Sequence, residues 1–284
     1  MGDLRDQMEH DMVVRGLSVR TREAYLGAVR GLAKHYGRRP DELSAHEVQS
    51  YVRHLIEERK LASSSVCQAV AGMRFFYEVS RGRPAQVFEI PLPKRAQKLP
   101  EILSREEVAR IIAATRSRRE RVLLMTVYGG GLRLGEVLRL RVSDLDVERG
   151  LIRIEAGKGQ KDRYTVLSRR LAEEVRRYQR IYRLQRYLFP SRRGDTPVHE
   201  SAVQKLYNAA KARAGVHKRG GIHALRHAFA THLLEAGTQL PIVQELLGHS
   251  RIQTTMRYIH VTQKNLAAQL SPLDLLPAAV EPIP

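Results

Sequence analysis

The sequence predicts a mainly α protein with a small antiparallel β element, organised as a helical N-terminal domain followed by a larger α+β domain. Apolar residues recur at helical spacing along most of the chain, and one pair of alternating segments flanks a glycine-containing turn, which is typical of a β-hairpin. A segment with three prolines separates the two parts. At about 100–200 residues per domain, a length of 284 residues also favours two domains. We therefore expect a first domain over residues 1–90, a linker over 91–100 and a second domain over 101–284.

The first domain is predicted to be a small bundle of four helices. Ser44 and Glu47 have the spacing of a capping box, which marks the start of the third helix. Apolar residues at helical spacing define the others. The four helices are expected at about residues 3–15, 24–37, 45–58 and 65–80. Cys67 falls within the last helix, and we expect a buried thiol there rather than a reactive one.

The second domain is predicted to be mainly helical, with a single hairpin. Ser104 and Glu107 form another capping box, while Gly237 and Gly248 stand where helices are expected to stop. Two segments of alternating hydropathy predict antiparallel strands, at residues 150–156 and 163–168. Helices are expected at about residues 105–114, 120–128, 134–140, 169–186, 201–214, 223–236, 241–247 and 263–270, with one more that starts after Ser250 and carries Tyr258.

The chain carries an excess of positive charge that is concentrated outside the first domain. There are 49 Lys and Arg residues against 30 Asp and Glu residues, which gives a formal net charge of +19 and a pI of about 10.5. Residues 1–90 contribute 14 basic and 12 acidic residues, and the remainder contributes 35 and 18. Such a charge predicts a polyanionic partner, with nucleic acid favoured over an anionic membrane surface. We expect a steep salt dependence of binding that depends chiefly on residues 91–284.

Several classes of protein are excluded by motifs that the sequence lacks. The single cysteine rules out a disulfide framework and a cysteine-rich zinc site. No P-loop, HExxH, DxDxDG or GxSxG motif is present. The first residues contain no apolar run typical of a signal peptide, and the apolar stretches are far shorter than the roughly 20 residues that span a bilayer. We expect a soluble protein of the reducing cytosol that uses no metal ion, cofactor or membrane.

Arg133 lies beside a run of three glycines in the segment GGGLRLGE. Glycines let the backbone turn tightly and approach a ligand, and a helix start is a place where amides and the helix dipole favour an anion. Glu136, one turn later, is placed to hold the guanidinium. A helix break with an ordinary surface salt bridge is the alternative interpretation.

His223 and Arg226 are three positions apart and therefore share one face of a predicted helix. A guanidinium offers a bidentate fork to phosphoryl oxygens, and an imidazole exchanges a proton near neutral pH. His227 and His232 lie nearby and raise the alternative of a metal cluster. No carboxylate occurs in this stretch before Glu235, so we favour a phosphate contact over a metal site.

Three further residues are candidates because of their surroundings. His249 is held between Gly248, at the end of one helix, and the serine that caps the next. Tyr258 follows nine residues later on that second helix. Lys158 occupies the tip of the predicted hairpin, from which a lysine can reach into a groove. Taken singly, each residue also has a structural interpretation: a helix corner for His249, an amphipathic core for Tyr258 and a solvated turn for Lys158.

In their order and spacing, five segments together resemble the tyrosine recombinase, or phage integrase, superfamily. They are GLRLGE, GKGQKDR, HALRHAFATHLL, LGHS and TTMRYIH, and the resemblance covers nearly the whole chain. Within the superfamily, the chain is most similar to Xer-type recombinases and integron integrases. The resemblance implies a SAM-like core-binding domain of four helices, followed by an α+β catalytic domain. It also implies a site-specific recombinase that cleaves and rejoins duplex DNA through a 3′-phosphotyrosine intermediate.

The resemblance assigns roles to the candidate residues. It implies that Tyr258 is the nucleophile that attacks the scissile phosphate, and that Arg133 and Arg226 clamp the non-bridging oxygens. It implies that Lys158 protonates the departing 5′-oxygen, with Lys161 as a rival that depends on the register of the hairpin. The remaining implied roles are proton transfer for His223, a hydrogen bond to the phosphate for His249 and support of the site for Glu136.

Basic residues in the linker and around the hairpin are expected to contact DNA. A basic, proline-rich linker suits a strap along a phosphate backbone, and a solvated connector is the alternative. The expected DNA contacts are Lys94, Arg95, Lys98, Lys161 and Arg163.

The resemblance also implies partners and a place of action. Four protomers would act on two double-stranded DNA recombination sites, with the helix at residues 263–270 docked on a neighbouring protomer and with accessory proteins as further partners. Such an enzyme works on the bacterial nucleoid, in the cytoplasm, and serves mobile elements among other roles. Two other functions stay open from the residues: DNA relaxation like that of a type IB topoisomerase, and non-catalytic binding of nucleic acid.

Overall fold

The computed structural model describes residues 2–83, 101–155, 162–191 and 196–248 of the chain. It divides into two compact units, Met1–Lys98 and Leu99–Pro284. The architecture is mainly helical with one small antiparallel sheet, which confirms the predicted fold class. No helix in the described part of the chain has both the length and the hydropathy needed to cross a membrane.

The described residues of the first unit form four α-helices in the predicted order, the last of which continues into a π-helical segment. They are α1 (Gly2–Val14), α2 (Val19–Tyr36), α3 (Ala45–Glu57) and α4 (Ser63–Arg74), followed by the π-helical residues Phe75–Ser80. The capping box at the start of α3 is formed, because Ser44 Oγ accepts from the Glu47 amide while Glu47 Oε2 accepts from the Ser44 amide at 2.8 Å. The core of the unit includes Met8, Met12, Leu32, Val48, Val70 and Met73.

Two details of the fourth helix differ from the prediction. The chain was expected to stay α-helical to residue 80, but the wider π turn allows the adjacent Phe76 and Tyr77 both to be buried. Tyr77 also donates from its hydroxyl to the Pro40 carbonyl at 2.5 Å. Cys67 is partly exposed rather than buried, because Val66 and Val70 take the core-facing positions and leave Cys67 on the flank of α4.

The second unit has seven described α-helices and a three-stranded antiparallel sheet. The helices are α5 (Arg105–Ala113), α6 (Arg118–Gly129), α7 (Leu134–Arg139), α8 (Arg169–Tyr182), α9 (Glu200–Arg213), α10 (His223–Glu235) and α11 (Leu240–Leu247). The strands are β1 (Leu145–Asp146), β2 (Leu151–Ile154) and β3 (Arg163–Val166), in the order β1-β2-β3. In the predicted hairpin, Ile154 is paired with Arg163, so the connection that includes Lys158 lies between them.

Local chemistry explains where these elements begin and end. Ser104 caps α5 in the predicted box with Glu107, and Gly248 ends α11 in the left-handed conformation. Helix α8 ends four residues earlier than predicted, because Arg183 adopts a left-handed φ of 47°. Strand β1 was not predicted, since two residues are too few to show alternation. The predicted helix that carries Tyr258 and the helix at 263–270 lie outside the described residues.

The turn after α6 depends on Gly131, where an added side chain has no room. Gly131 has φ +61°, and a Cβ there would lie 2.3 Å from a ring carbon of Phe229. Gly131→Ala is therefore expected to destabilise the second unit by about 2–5 kcal/mol, from left-handed strain and overpacking together. Gly215→Ala is the matched control, because Gly215 has φ +66° but no described atom within 4 Å of the added Cβ. It should lose only about 1–2 kcal/mol in urea unfolding. Equal losses would contradict the steric argument.

Candidate active site

A buried carboxylate, Glu136, lies at the centre of the second unit's cluster of basic side chains. Helix α7 begins at the residue after Arg133, whose backbone N–H donates to Glu136 Oε2 at 2.8 Å. This backbone contact is a local cap that fixes the first turn of the helix. The side chain of Glu136 is only 3% exposed, so its charge must be matched by neighbouring groups.

Three guanidinium groups surround that carboxylate. Arg133 Nη1 donates to Oε1 of Glu136 at 2.7 Å. Arg163 makes a bidentate pair, from Nη1 to Oε1 at 2.9 Å and from Nη2 to Oε2 at 2.8 Å. Arg226 Nη1 lies 3.8 Å from Oε2. Since three cations share one anion, this set of four side chains carries a surplus of positive charge.

The pKa of Glu136 reflects this environment. Burial by itself raises the pKa of the carboxyl, but the hydrogen bonds and charge of Arg163, together with the bonds from Arg133, outweigh burial and lower the pKa to about 2. Glu136 is therefore ionised throughout the physiological range, and it acts as a fixed anchor for the arginines.

The same three arginines also bind consecutive backbone carbonyls at the end of α11. Arg163 Nε donates to the carbonyl of Leu246 at 3.1 Å, Arg226 Nη2 to that of Leu247 at 2.6 Å, and Arg133 Nη2 to that of Gly248 at 2.9 Å. The last carbonyls of a helix lack intrahelical partners and form the negative end of the helix dipole. The end of α11 is thus a second anionic pole that binds the three guanidiniums in addition to Glu136.

Arg226 reaches this cluster from a helix that is largely buried. Neighbouring residues on α10, among them Leu225 and Ala228, are completely buried, and Arg226 itself is 5% exposed. Its Nη1 donates to the carbonyl of Gly131 at 2.6 Å, in the glycine turn that precedes α7. A buried arginine is satisfied here by backbone carbonyls and Glu136 together. Arg133 is the more accessible partner, with 24% of its side chain exposed.

His223 is the first residue of α10 and lies one turn before Arg226, as the sequence predicted. The pKa of its imidazole is lowered by desolvation and then by the positive charge of Arg226, against a smaller opposite effect from Glu200. The residue as a whole is exposed, while the charges of Arg133, Arg226 and Glu136 act on its imidazole. A neutral imidazole there is able to accept a proton.

His232, considered as a metal ligand from the sequence, has a different environment. Its Nδ1 lies 2.9 Å from the hydroxyl of Tyr128, and desolvation lowers the pKa of the imidazole. Within the four described stretches of chain, no group of three or more His, Cys, Asp or Glu residues is placed to hold a metal ion.

Seven of the predicted site residues fall outside the described residues. They are Lys94, Arg95, Lys98, Lys158, Lys161, His249 and Tyr258. Those that the structure brings together are Arg133, Glu136, His223 and Arg226, with Arg163 as a fifth member.

Two family models account for most of the sequence. The model of the phage integrase family matches residues 101–265, and the model described as phage integrase, N-terminal SAM-like domain, matches residues 4–86. The chain belongs to the phage integrase family. This integrase is thus a member of the tyrosine recombinases, a family of enzymes of DNA recombination, and the resemblance found in the five segments is confirmed.

Curated relatives agree with that assignment, and a solved structure shares the fold. The putative integrase/recombinase y4qK of Sinorhizobium fredii (strain NBRC 101917 / NGR234) is 41% identical over 280 residues, which cover 98% of this integrase and 90% of the relative. The tyrosine recombinase XerD of Listeria innocua serovar 6a is 32% identical, with 94% and 96% covered. A lambda integrase tetramer bound to a Holliday junction has a TM-score of 0.72 at 18% identity, with 90% and 76% covered, and shares the fold.

Arg163, one of the expected DNA contacts, is bound within the second unit. We expected it to contact DNA, but its side chain is 9% exposed and its guanidinium donates to Glu136 and to the carbonyl of Leu246. These groups are its partners within the second unit, and its contact with DNA stays a prediction. The alternation of β3 carried a signal for this burial, because Arg163 lies on the same face as the buried Thr165, while Tyr164 between them is 55% exposed.

Proposed function

We propose that this integrase cleaves and rejoins duplex DNA at specific sites through a covalent 3′-phosphotyrosine intermediate on Tyr258. One observation carries the proposal: Arg133 and Arg226 are both fixed on Glu136 and on adjacent carbonyls of the turn that leads directly to His249. This arrangement supports a single site for a phosphate, formed by residues that are far apart in the sequence.

The proposed reaction is a transesterification at phosphorus. The phenolic oxygen of Tyr258 attacks the scissile phosphate, the bond from phosphorus to the 5′-oxygen breaks, and the phosphate stays attached to the tyrosine. His223 accepts the phenol proton, and Lys158 delivers a proton to the departing 5′-oxygen. Rejoining reverses these steps, so the energy of the ester is conserved and no nucleotide cofactor is required.

The arginines provide the stabilisation that such a step needs. Phosphoryl transfer depends mainly on positioning and on stabilising charge over the non-bridging oxygens. Arg133 donates from Nη1 to Glu136 and from Nη2 to the carbonyl of Gly248. A guanidinium has five N–H donors, so further donors of Arg133 are left for an anion. Glu136 offsets only part of the positive charge, so the cluster retains an attraction for phosphate.

We also propose a role for each domain and a tetrameric assembly. Residues 1–90 are proposed as the core-binding domain, 91–100 as a basic linker and 101–284 as the catalytic domain. We propose that four protomers act on two DNA sites, with the helix at 263–270 docked on a neighbour. The tetrameric state of the lambda integrase structure, which shares this fold, supports that assembly.

The experiment that tests the proposed function uses a nicked suicide site. The site is first selected from random-sequence duplexes that the protein binds. We expect wild type to form a covalent protein–DNA adduct that survives a denaturing gel. Tyr258→Phe should form none, while its Kd for the site stays within about threefold of wild type. Binding without any adduct in wild type, or an adduct in Tyr258→Phe, would contradict the proposal. Strand exchange between two sites then distinguishes a recombinase from a topoisomerase-like enzyme.

A further inference from the structure

Arg163 links three separate parts of the second unit through one guanidinium. It is the first residue of β3, immediately after the hairpin connection. Its Nη1 and Nη2 hold both oxygens of Glu136 on α7, and its Nε donates to the carbonyl of Leu246 on α11. With 9% of the side chain exposed, these contacts are protected from water and from the screening that weakens surface ion pairs.

The turn after α11 is shaped around the stem of Arg163. A Cβ on Gly248 would lie 2.6 Å from Cδ and 2.9 Å from Nε of that arginine. The absence of a side chain at this glycine, which also has φ +61°, leaves the space that the arginine occupies. The carbonyl of the same glycine accepts from Arg133, so the stem of Arg163 and the phosphate-clamp candidate share one turn.

The bidentate geometry fixes the orientation of the carboxylate. Oε1 of Glu136 accepts from both Arg163 and Arg133, and Oε2 accepts from Arg163 and from the amide of Arg133. A planar guanidinium sets the plane of the carboxylate in a way that a lysine ammonium, which is a point charge, does not. The direction in which Arg133 points is therefore tied to Arg163 through a shared acceptor.

We propose that Arg163 is a positioning residue for DNA cleavage: it fixes Glu136 and the turn after α11, and thereby sets where Arg133 and Arg226 meet the scissile phosphate. This role rests on the proposed function. It differs from phosphate binding, because Arg163 acts through Glu136 and through the backbone of the turn.

The pH dependence of cleavage supplies a signature of this role. The groups that the structure places around Glu136 are the guanidiniums of Arg133, Arg163 and Arg226, with the imidazole of His223 also acting on it electrostatically. Burial raises the pKa of Glu136, and Arg163 opposes burial most strongly. Without Arg163 the pKa of this carboxyl rises. On acidification, the rate of cleavage should therefore begin to fall at a higher pH than in wild type.

The test compares Arg163→Lys and Arg163→Met with Arg149→Met, whose side chain is 80% exposed. Adduct formation on the nicked site is followed in a single turnover at saturating DNA, together with the Kd. We expect both Arg163 variants to slow adduct formation by about 100-fold, as for a misplaced catalytic group. Their Kd should stay within about threefold, and Arg149→Met should match wild type. The pH at which the cleavage rate falls on acidification should be higher for Arg163→Met than for wild type. In the double variant Arg163→Met/Glu136→Gln this pH should return to the wild-type value.

Each outcome separates the positioning role from the proposed function. If wild type forms no adduct, the proposed function fails. If wild type forms it and Arg163→Lys matches Arg149→Met, the positioning role alone is overturned. The positioning role would also be overturned if the Arg163 variants cleave more slowly but their rate falls at the same acidic pH as in wild type, and if their losses of rate add to that of Glu136→Gln. Loss of folded protein in both Arg163 variants would show a role in stability instead.

Discussion

Arg226→Lys is expected to slow covalent adduct formation by roughly 1,000-fold, because the lysine cannot reproduce the contacts of the guanidinium. Arg226 holds the carbonyls of Gly131 and Leu247 from two different nitrogens and lies against Glu136. An ammonium group retains the charge but cannot span the two carbonyls and still face a phosphate. The measurement is the single-turnover rate of adduct formation on the nicked site.

The control for Arg226→Lys is the same substitution at an exposed arginine. Arg149→Lys changes a side chain that is 80% exposed and should leave the rate within about threefold of wild type. The Kd of Arg226→Lys for DNA should change far less than its rate, because many other basic residues contribute to binding. A rate close to that of Arg149→Lys would remove Arg226 from the proposed phosphate clamp.

Glu136→Gln is expected to destabilise the second unit by about 3–5 kcal/mol at neutral pH. The substitution keeps the size of the side chain but removes the single anion shared by Arg133, Arg163 and Arg226. Three guanidiniums would then be held together with only carbonyl and amide acceptors. Urea unfolding of the two proteins measures the difference, with Glu148→Gln as the exposed control, which should be within about 0.5 kcal/mol of wild type.

The difference in stability between wild type and Glu136→Gln should change with pH in a predicted direction. The pKa of Glu136 falls from the ordinary 4.5 to about 2 on folding, so its contribution is fully present above pH 4.5. That contribution, about 3 kcal/mol by linkage, is lost as the pH falls through about 2. The gap in stability between wild type and Glu136→Gln should therefore narrow across this range. A gap that stays constant with pH would contradict an ionised, paired Glu136.

Features that depend on short spacings could be predicted from the sequence. The capping boxes at Ser44 and Ser104 are formed as their three-residue spacing indicated, since both partners lie within one helical turn. The contact between Arg133 and Glu136 has the same local origin. The hairpin followed from alternation on both sides of a turn, and the end of α11 followed from a glycine.

Features that depend on tertiary contacts could not be predicted in this way. Arg163 and Glu136 are 27 residues apart, and nothing local in either segment indicates their pairing. The carbonyls of residues 246–248 carry no signature in the side chains of the sequence, yet they hold all three arginines. The π turn at Phe76 and the partly exposed Cys67 likewise follow from packing between helices, which a one-dimensional pattern does not contain.

The most direct test of the proposed 3′-phosphotyrosine intermediate is to identify the linkage in the trapped adduct. Proteolysis of the wild-type adduct followed by mass spectrometry locates the attached residue, and end-labelling of the two DNA fragments determines the polarity of the break. We predict that the nucleotide is attached to the peptide containing Tyr258 through a 3′-phosphate, and that the other fragment carries a free 5′-hydroxyl. Attachment to any other residue, or a 5′-phosphate linkage, would contradict the proposed assignment of the site.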